Sequence, residues 1–96
     1  MEIGLVGLGK MGGNMVKRLL GGGHRVVVSD RSADAIAASV AAGAVGSESL
    51  ADLVSKLPAP RTVWVMVPSG GPTDNVIDEL AGLMSAGDLI VDGGNS

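Results

Sequence analysis

Residues 1–15 read MEIGLVGLGKMGGNM, an apolar run of Ile, Leu and Val interrupted by five glycines. Fixing a glycine costs more backbone entropy than fixing any other residue, so such a cluster needs a reason. The spacing supplies one. Gly7, Gly9 and Gly12 stand in the G-x-G-x-x-G arrangement, after a predicted strand and at the start of a predicted helix. There the first glycine permits a tight turn, the second lets backbone approach a pyrophosphate, and the third lets helix and strand pack closely. The helix N-terminus adds unpaired N–H groups and partial positive charge. Alone, the string is a common turn. Strand, turn, helix and second strand in the required order make it a candidate dinucleotide site. Lys10 has the reach for a phosphate, but a solvated lysine at a loop tip is the better reading of the residue by itself.

The pattern continues outward from this stretch. Short apolar runs recur at Ile3–Leu8, Arg25–Ser29, Thr62–Val67 and Leu89–Val91. They lack in/out alternation, as expected of strands covered on both faces of a parallel sheet. Met11, Met15 and Leu19 fall four apart, on one face of a helix that Gly21–Gly23 would end. Ser32 is placed to cap an Ala-rich helix over Ala33–Ala42, stopped by Gly43. Leu50, Leu53, Val54 and Leu57 follow the i, i+3, i+4, i+7 template between Ser49 and Pro58. Val76, Ile77, Leu80, Ala81 and Met84 form a similar stripe after PSGGPT, which reads as a plain loop or as part of a site. With a short strand at Ala44–Gly46, the order is β-α-β-α-β-α-β-α-β. This predicts an α/β fold, a Rossmann-type doubly wound parallel sheet of about five strands.

Ninety-six residues make one small domain. The apolar fraction of 46% suffices for a core, and since Trp64 is the only aromatic residue that core must be aliphatic, with Trp64 as filler. A net charge of −3, with no basic patch, argues against nucleic acid as a partner. The absence of cysteine excludes disulfides and thiolate metal sites. No secretory signal and no apolar run approaching about 20 residues is present, so the expectation is a soluble, cytoplasmic protein with no membrane partner. His24, the sole histidine, has no nominated partner and reads as structural; Asp74, Asp78 and Glu79 read as the solvated face of a helix, and no metal-ligand spacing occurs.

The second strand, RVVVSDRS, ends in Asp30, Arg31 and Ser32. An acid about 20 residues beyond the glycines commonly accepts hydrogen bonds from the adenosine ribose and favours NAD, whereas an arginine there holds the 2′-phosphate of NADP. Near-surface unit charges about 4 Å apart interact by roughly 4 kcal/mol at an effective dielectric near 20, so the two influences are comparable. Direct bonding of the ribose hydroxyls tips the reading to NAD, with NADP as the second option. Asp30 and Ser32 are also common helix caps, and capping and cofactor contact are compatible. Asn95 lies just past a predicted strand's carboxyl end, where open α/β sheets bind ligands, though GGN also reads as an ordinary turn.

Taken together, GLGKMGGNM, VVVSDRS, VWVMVPSGGPTDNVIDEL and GDLIVDGGNS resemble the decarboxylating 6-phosphogluconate dehydrogenases, within the wider β-hydroxyacid dehydrogenase group. DGGNS is the narrowest of these motifs. The resemblance implies that Gly7, Leu8, Gly9, Lys10, Met11 and Gly12 hold the pyrophosphate, with Met11 also near the nicotinamide edge. It places Asp30, Arg31 and Ser32 around the adenosine ribose, and Val67, Pro68 and Ser69 along the cofactor. Asn95 falls near the nicotinamide ribose and the sugar acid. Asp30 and Pro68 stand where NADP-using members tend to have Asn and Lys, which agrees with the NAD-leaning branch.

The implied reaction oxidises 6-phosphogluconate by hydride transfer and releases carbon dioxide to give ribulose 5-phosphate. The family's general base (Lys) and general acid (Glu) lie on later segments, as do the sixth strand and a helical substrate lobe. Residues 1–96 are thus expected to be the dinucleotide-binding portion, without catalytic residues and inactive alone. The full-length protein is expected to be a homo-oligomer through that lobe. The alternatives are a 3-hydroxyisobutyrate-type dehydrogenase, against which the two glycines and Asn95 of DGGNS speak, and a non-catalytic NAD-sensing module.

Overall fold

Four of the five residues of β1 (Glu2–Val6) are buried, and the strand runs through the middle of the sheet. The computed structural model describes residues 2–66 and 71–92, the side chains of residues 10, 11, 71–74 and 92 excepted. After β1 come α1 (Lys10–Gly21), β2 (Arg25–Ser29), α2 (Ala33–Ala41) and β3 (Val45–Gly46). Then follow α3 (Leu50–Ser55), β4 (Thr62–Val65), α4 (Gly71–Leu83) and β5 (Leu89–Asp92). The sheet has the order β3-β2-β1-β4-β5, and every pairing is parallel. Ile3 is in register with Val26, Gly4 with Val63, and Val63 with Ile90. This is the doubly wound sheet predicted, in the predicted element order.

The lack of alternation in the strands has a direct cause: successive residues are buried on opposite faces. Val6, Val27, Val63 and Val65 pack against Leu53, Val54 and Leu57 at α3 and Leu80 of α4. On the other face Leu5, Val26 and Val28 pack with Leu8, Ala44 and Val16 of α1, flanked by Met15, Leu19, Leu20 and Ile36. The largest fully buried side chains are all Leu or Val, as an aliphatic core requires. Each such burial contributes about 1.5–3 kcal/mol before the entropic cost of ordering the chain.

Four details depart from the sequence reading. Trp64 is half-buried at the margin of the second cluster rather than within the core. It faces away from Val63 and Val65, while α1 lies over β1 and β2 and α2 over β2 and β3, leaving its side of β4 partly uncovered. The first strand ends at Val6, not Leu8, because the chain turns at Gly7; Leu8 is still buried. The fourth helix begins at Gly71, inside the PSGGPT segment. Pro72 falls in its first turn, where a missing N–H removes no intrahelical bond.

The fourth departure concerns Gly4. A Cβ there would stand 2.8 Å from a Leu57 methyl and 2.9 Å from a Leu53 methyl. Gly4 therefore makes room for α3 against β1 and is a packing glycine, not part of the phosphate motif.

Candidate cofactor site

The strand order reverses beside β1: β2 and β3 extend to one side, β4 and β5 to the other. The helices divide accordingly, α1 and α2 on one face and α3 and α4 on the other. Open α/β sheets bind ligands in the crevice that such a reversal creates at the strands' carboxyl ends. Residues 7–9 occupy that position on β1.

Gly7 has φ of 99°, a left-handed conformation open chiefly to glycine, and donates its N–H to the Ser29 carbonyl at 2.9 Å. A Cβ on Gly12 would fall on the Gly7 carbonyl oxygen, so the turn and the first coil of α1 touch backbone to backbone. Gly9 is the N-cap of α1 and has extended backbone (φ −62°, ψ −169°). No side chain caps this helix, and its first turn contains no acid. A Cβ added at Gly9 would meet nothing within 4 Å. The first intrahelical bond recorded runs from Gly13 N–H to the Gly9 carbonyl, so the amides before it point out of the helix without an i−4 partner. Bare amides, an open approach and the positive end of the helix dipole suit an anion.

Asp30 adjoins this turn. Its Oδ2 accepts the Leu8 N–H at 2.5 Å, and its Oδ1 accepts the Ser32 N–H at 2.8 Å. Ser32 Oγ in turn accepts the Ala35 N–H at 3.2 Å and caps α2, so the capping reading of Ser32 holds. Asp30 itself caps no helix. Arg31 is exposed beside it. The structure thus brings Gly7, Leu8, Gly9, Gly12, Asp30 and Ser32 together. Lys10 and Met11 are placed by their backbone at the start of α1. Val67, Pro68, Ser69 and Asn95 lie outside the described residues.

A cleft of about 360 Å³ opens beside the turn, between α1 and α2, with Gly9, Gly13, Lys17, Ala38 and Ser39 in its wall. No spacing pattern announces it, since it arises from small residues meeting across two helices.

Other polar groups serve the scaffold. His24 precedes the amino end of β2, at the opposite edge of the sheet from the glycine turn, and its buried Nδ1 has no partner among the described residues. Asp88 accepts the Arg61 N–H at 2.6 Å and the Ser85 N–H at 2.8 Å, and pairs with the Arg61 guanidinium at 3.1 Å. These bonds, the Arg61 amide first and the Ser85 amide next, hold its carboxyl below the ordinary 3.8 despite opposing burial. Asp52 is lowered likewise, chiefly by the Lys56 ammonium at 2.8 Å and then by the Glu48 N–H. Asp78 and Glu79 are exposed, as expected, while the Asp74 side chain lies outside the description. Among the described residues no group of three His, Cys, Asp or Glu is placed to hold a metal, and no helix is long and apolar enough to cross a membrane.

With this geometry in view, residues 2–96 match the family model described as the NAD binding domain of 6-phosphogluconate dehydrogenase. The chain belongs to that family. Among relatives of this NAD-binding domain, a Haloferax volcanii protein named "6-phosphogluconate dehydrogenase, NAD(+)-dependent, decarboxylating" is 46% identical over all 96 residues, which span 32% of its length. The Plasmodium falciparum 6-phosphogluconate dehydrogenase, solved apo, with NADP+ and with 6-phosphogluconate, superposes with a TM-score of 0.90 at 26% identity, over 100% of this chain and 22% of that one. The 3-hydroxyisobutyrate dehydrogenase of Mycobacterium tuberculosis superposes at 0.87 and 27% identity, over 97% of this chain and 31% of that one. The family's domain is a nicotinamide-dinucleotide binder in a dehydrogenase, and this chain spans about a third of the Haloferax relative.

Proposed function

We propose that this chain is the dinucleotide-binding domain of an oxidoreductase that oxidatively decarboxylates 6-phosphogluconate to ribulose 5-phosphate and carbon dioxide, with NAD as the preferred coenzyme. The carrying observation is the open N-terminus of α1, with a glycine cap, no acid in the first turn and free approach at Gly9. Gly7, Leu8, Gly9, Lys10, Met11 and Gly12 would hold the pyrophosphate, and Asp30, Arg31 and Ser32 the adenosine ribose. When bound, the nicotinamide supplies the hydride acceptor for oxidation of the sugar acid's secondary alcohol.

The preference for NAD is supported by the place of Asp30. Its carboxylate stands at the end of β2, where the adenosine ribose is proposed to lie and where its charge opposes a 2′-phosphate, whereas Arg31 is exposed. Val67, Pro68 and Ser69 would line the cofactor beyond β4, and Asn95 would lie near the nicotinamide ribose and the substrate. The proton transfers of the reaction are assigned to groups outside these 96 residues. The whole protein is proposed to be cytoplasmic and to assemble as a homo-oligomer through its substrate-binding lobe.

Calorimetric titration with NAD and with NADP tests this reading. Tighter binding of NAD is expected; tighter NADP binding overturns the coenzyme preference, and no heat with either overturns the function. The 96 residues alone are expected not to turn over 6-phosphogluconate, and measurable turnover would refute the assignment of acid–base groups.

A further inference from the structure

We propose that Asp30 is a positioning residue for the glycine turn, one carboxylate fixing the loop that receives the pyrophosphate while it also awaits the ribose. The inference rests on the dinucleotide reading above and goes further into how that site is built.

The turn is tied to the end of β2 at two successive residues. Gly7 N–H meets the Ser29 carbonyl at 2.9 Å, and Leu8 N–H meets Asp30 Oδ2 at 2.5 Å. The second tie is the stronger kind, because its acceptor is ionised. Asp30 Oδ1 holds Ser32 N–H at 2.8 Å, and Ser32 Oγ holds Ala35 N–H. A continuous line of hydrogen bonds therefore joins the glycine turn, through one carboxylate, to the start of α2. Leu8 is also anchored by its side chain, which is buried among Leu5, Val16, Val26 and Val28. The chain is thus held up to residue 8 and open from residue 9.

A carboxylate has roughly four acceptor directions over its two oxygens. The backbone uses one on each. The remaining two match the two hydroxyls of a ribose, so binding the diol does not require the turn to be released. The two tasks of Asp30 are additive in geometry.

They are opposed in electrostatics, and this makes the inference testable. The Asp30 charge repels an incoming pyrophosphate. If Asp30 acts on the ribose alone, removing its charge leaves binding of free pyrophosphate unchanged or improved. If it positions the turn, removing it weakens that binding. Asp30→Asn preserves the shape but offers one acceptor and one NH2, so it satisfies only one of the two N–H groups that now converge on it.

The experiment titrates the chain and its Asp30→Asn variant with inorganic pyrophosphate, which carries no ribose, following the Leu8 and Gly9 amides by NMR. Hydrogen exchange is read at Leu8 and at Val27, whose burial at the sheet centre makes it the control for global folding. The expected result is pyrophosphate affinity reduced at least fivefold, Leu8 exchange at least tenfold faster, and Val27 unchanged. NADP affinity should also fall in absolute terms, even as the NAD-to-NADP ratio moves toward NADP.

Unchanged or tighter pyrophosphate binding, or unchanged Leu8 exchange, overturns the proposal. Should Val27 lose protection as well, Asp30→Glu decides: it keeps the charge and displaces it by one methylene. Weaker pyrophosphate binding with Val27 protected then supports positioning, and wild-type binding overturns it. Failure of the unaltered chain to bind either pyrophosphate or NAD sinks the dinucleotide reading itself.

Discussion

Three helices whose N-caps are described, α1, α2 and α3, begin at the same edge of the sheet, and they begin differently. Ser32 caps α2 and Ser49 caps α3, each with an acid in the first turn, Asp34 and Asp52 respectively. The first helix begins after Gly9, with no side-chain cap and no acid in its first turn. A serine in place of that glycine would stabilise the helix by a few tenths of a kcal/mol at little cost in space. Of these three helix ends, two are sealed by a serine and an acid, and the one beside the reversal of the strand order is left open. That contrast is the physical content of the glycine-rich opening.

The most direct way to break the contrast is to seal α1 as well. Gly9→Asp places a carboxylate where nothing lies within 4 Å of the new Cβ. A repulsion of roughly 4 kcal/mol against a phosphate about 4 Å away is expected at an effective dielectric near 20. That corresponds to about three decades in NAD affinity, with the melting temperature kept or slightly raised. Calorimetry beside thermal unfolding checks both, and NAD binding retained within about tenfold would remove the α1 amides from the site.

Gly12→Ala attacks the backbone-to-backbone contact with Gly7 and should cost about 1–3 kcal/mol in urea unfolding, with loss of NAD binding. Ser49→Ala unseals α3 and should cost about 1 kcal/mol while leaving NAD affinity unchanged. A drop in affinity there would show that the sealed and open helix ends are coupled.

The smallest expected effect belongs to Asp88, which seals the Ser85 and Arg61 amides. Its carboxyl is depressed below 3.8 in the fold, so its contribution is complete above that value and is lost as pH falls through the lower folded value. Asp88→Asn should therefore lower the melting temperature at neutral pH, and the gap to the unaltered chain should close in the acid range below 3.8. A gap independent of pH would place its origin in packing.

Much of this was legible in the sequence because it is local. Ser32 and Ser49 announce their helices from within three residues, the apolar runs announce buried strands, and the quoted motifs identify the family. The glycine spacing also led to the open end of α1. What escaped depends on contacts distant along the chain. Gly4 answers to Leu53 and Leu57, about 50 residues on, so the sequence showed no task for it beyond its place in the glycine cluster. Asp30 reaches back 22 residues to an amide, which no spacing rule encodes. Trp64 sits in an apolar run, but its exposure depends on which helices lie over which strands.

Leu8 carries a consequence of its own. Its side chain is a piece of the interior, and its amide is the point at which Asp30 grips the turn. A lineage drifting at this residue would pay in thermal tolerance and coenzyme retention together. Exchange at residue 9, one step along, would register in the second alone. The border between scaffold and tool therefore falls at a single peptide bond.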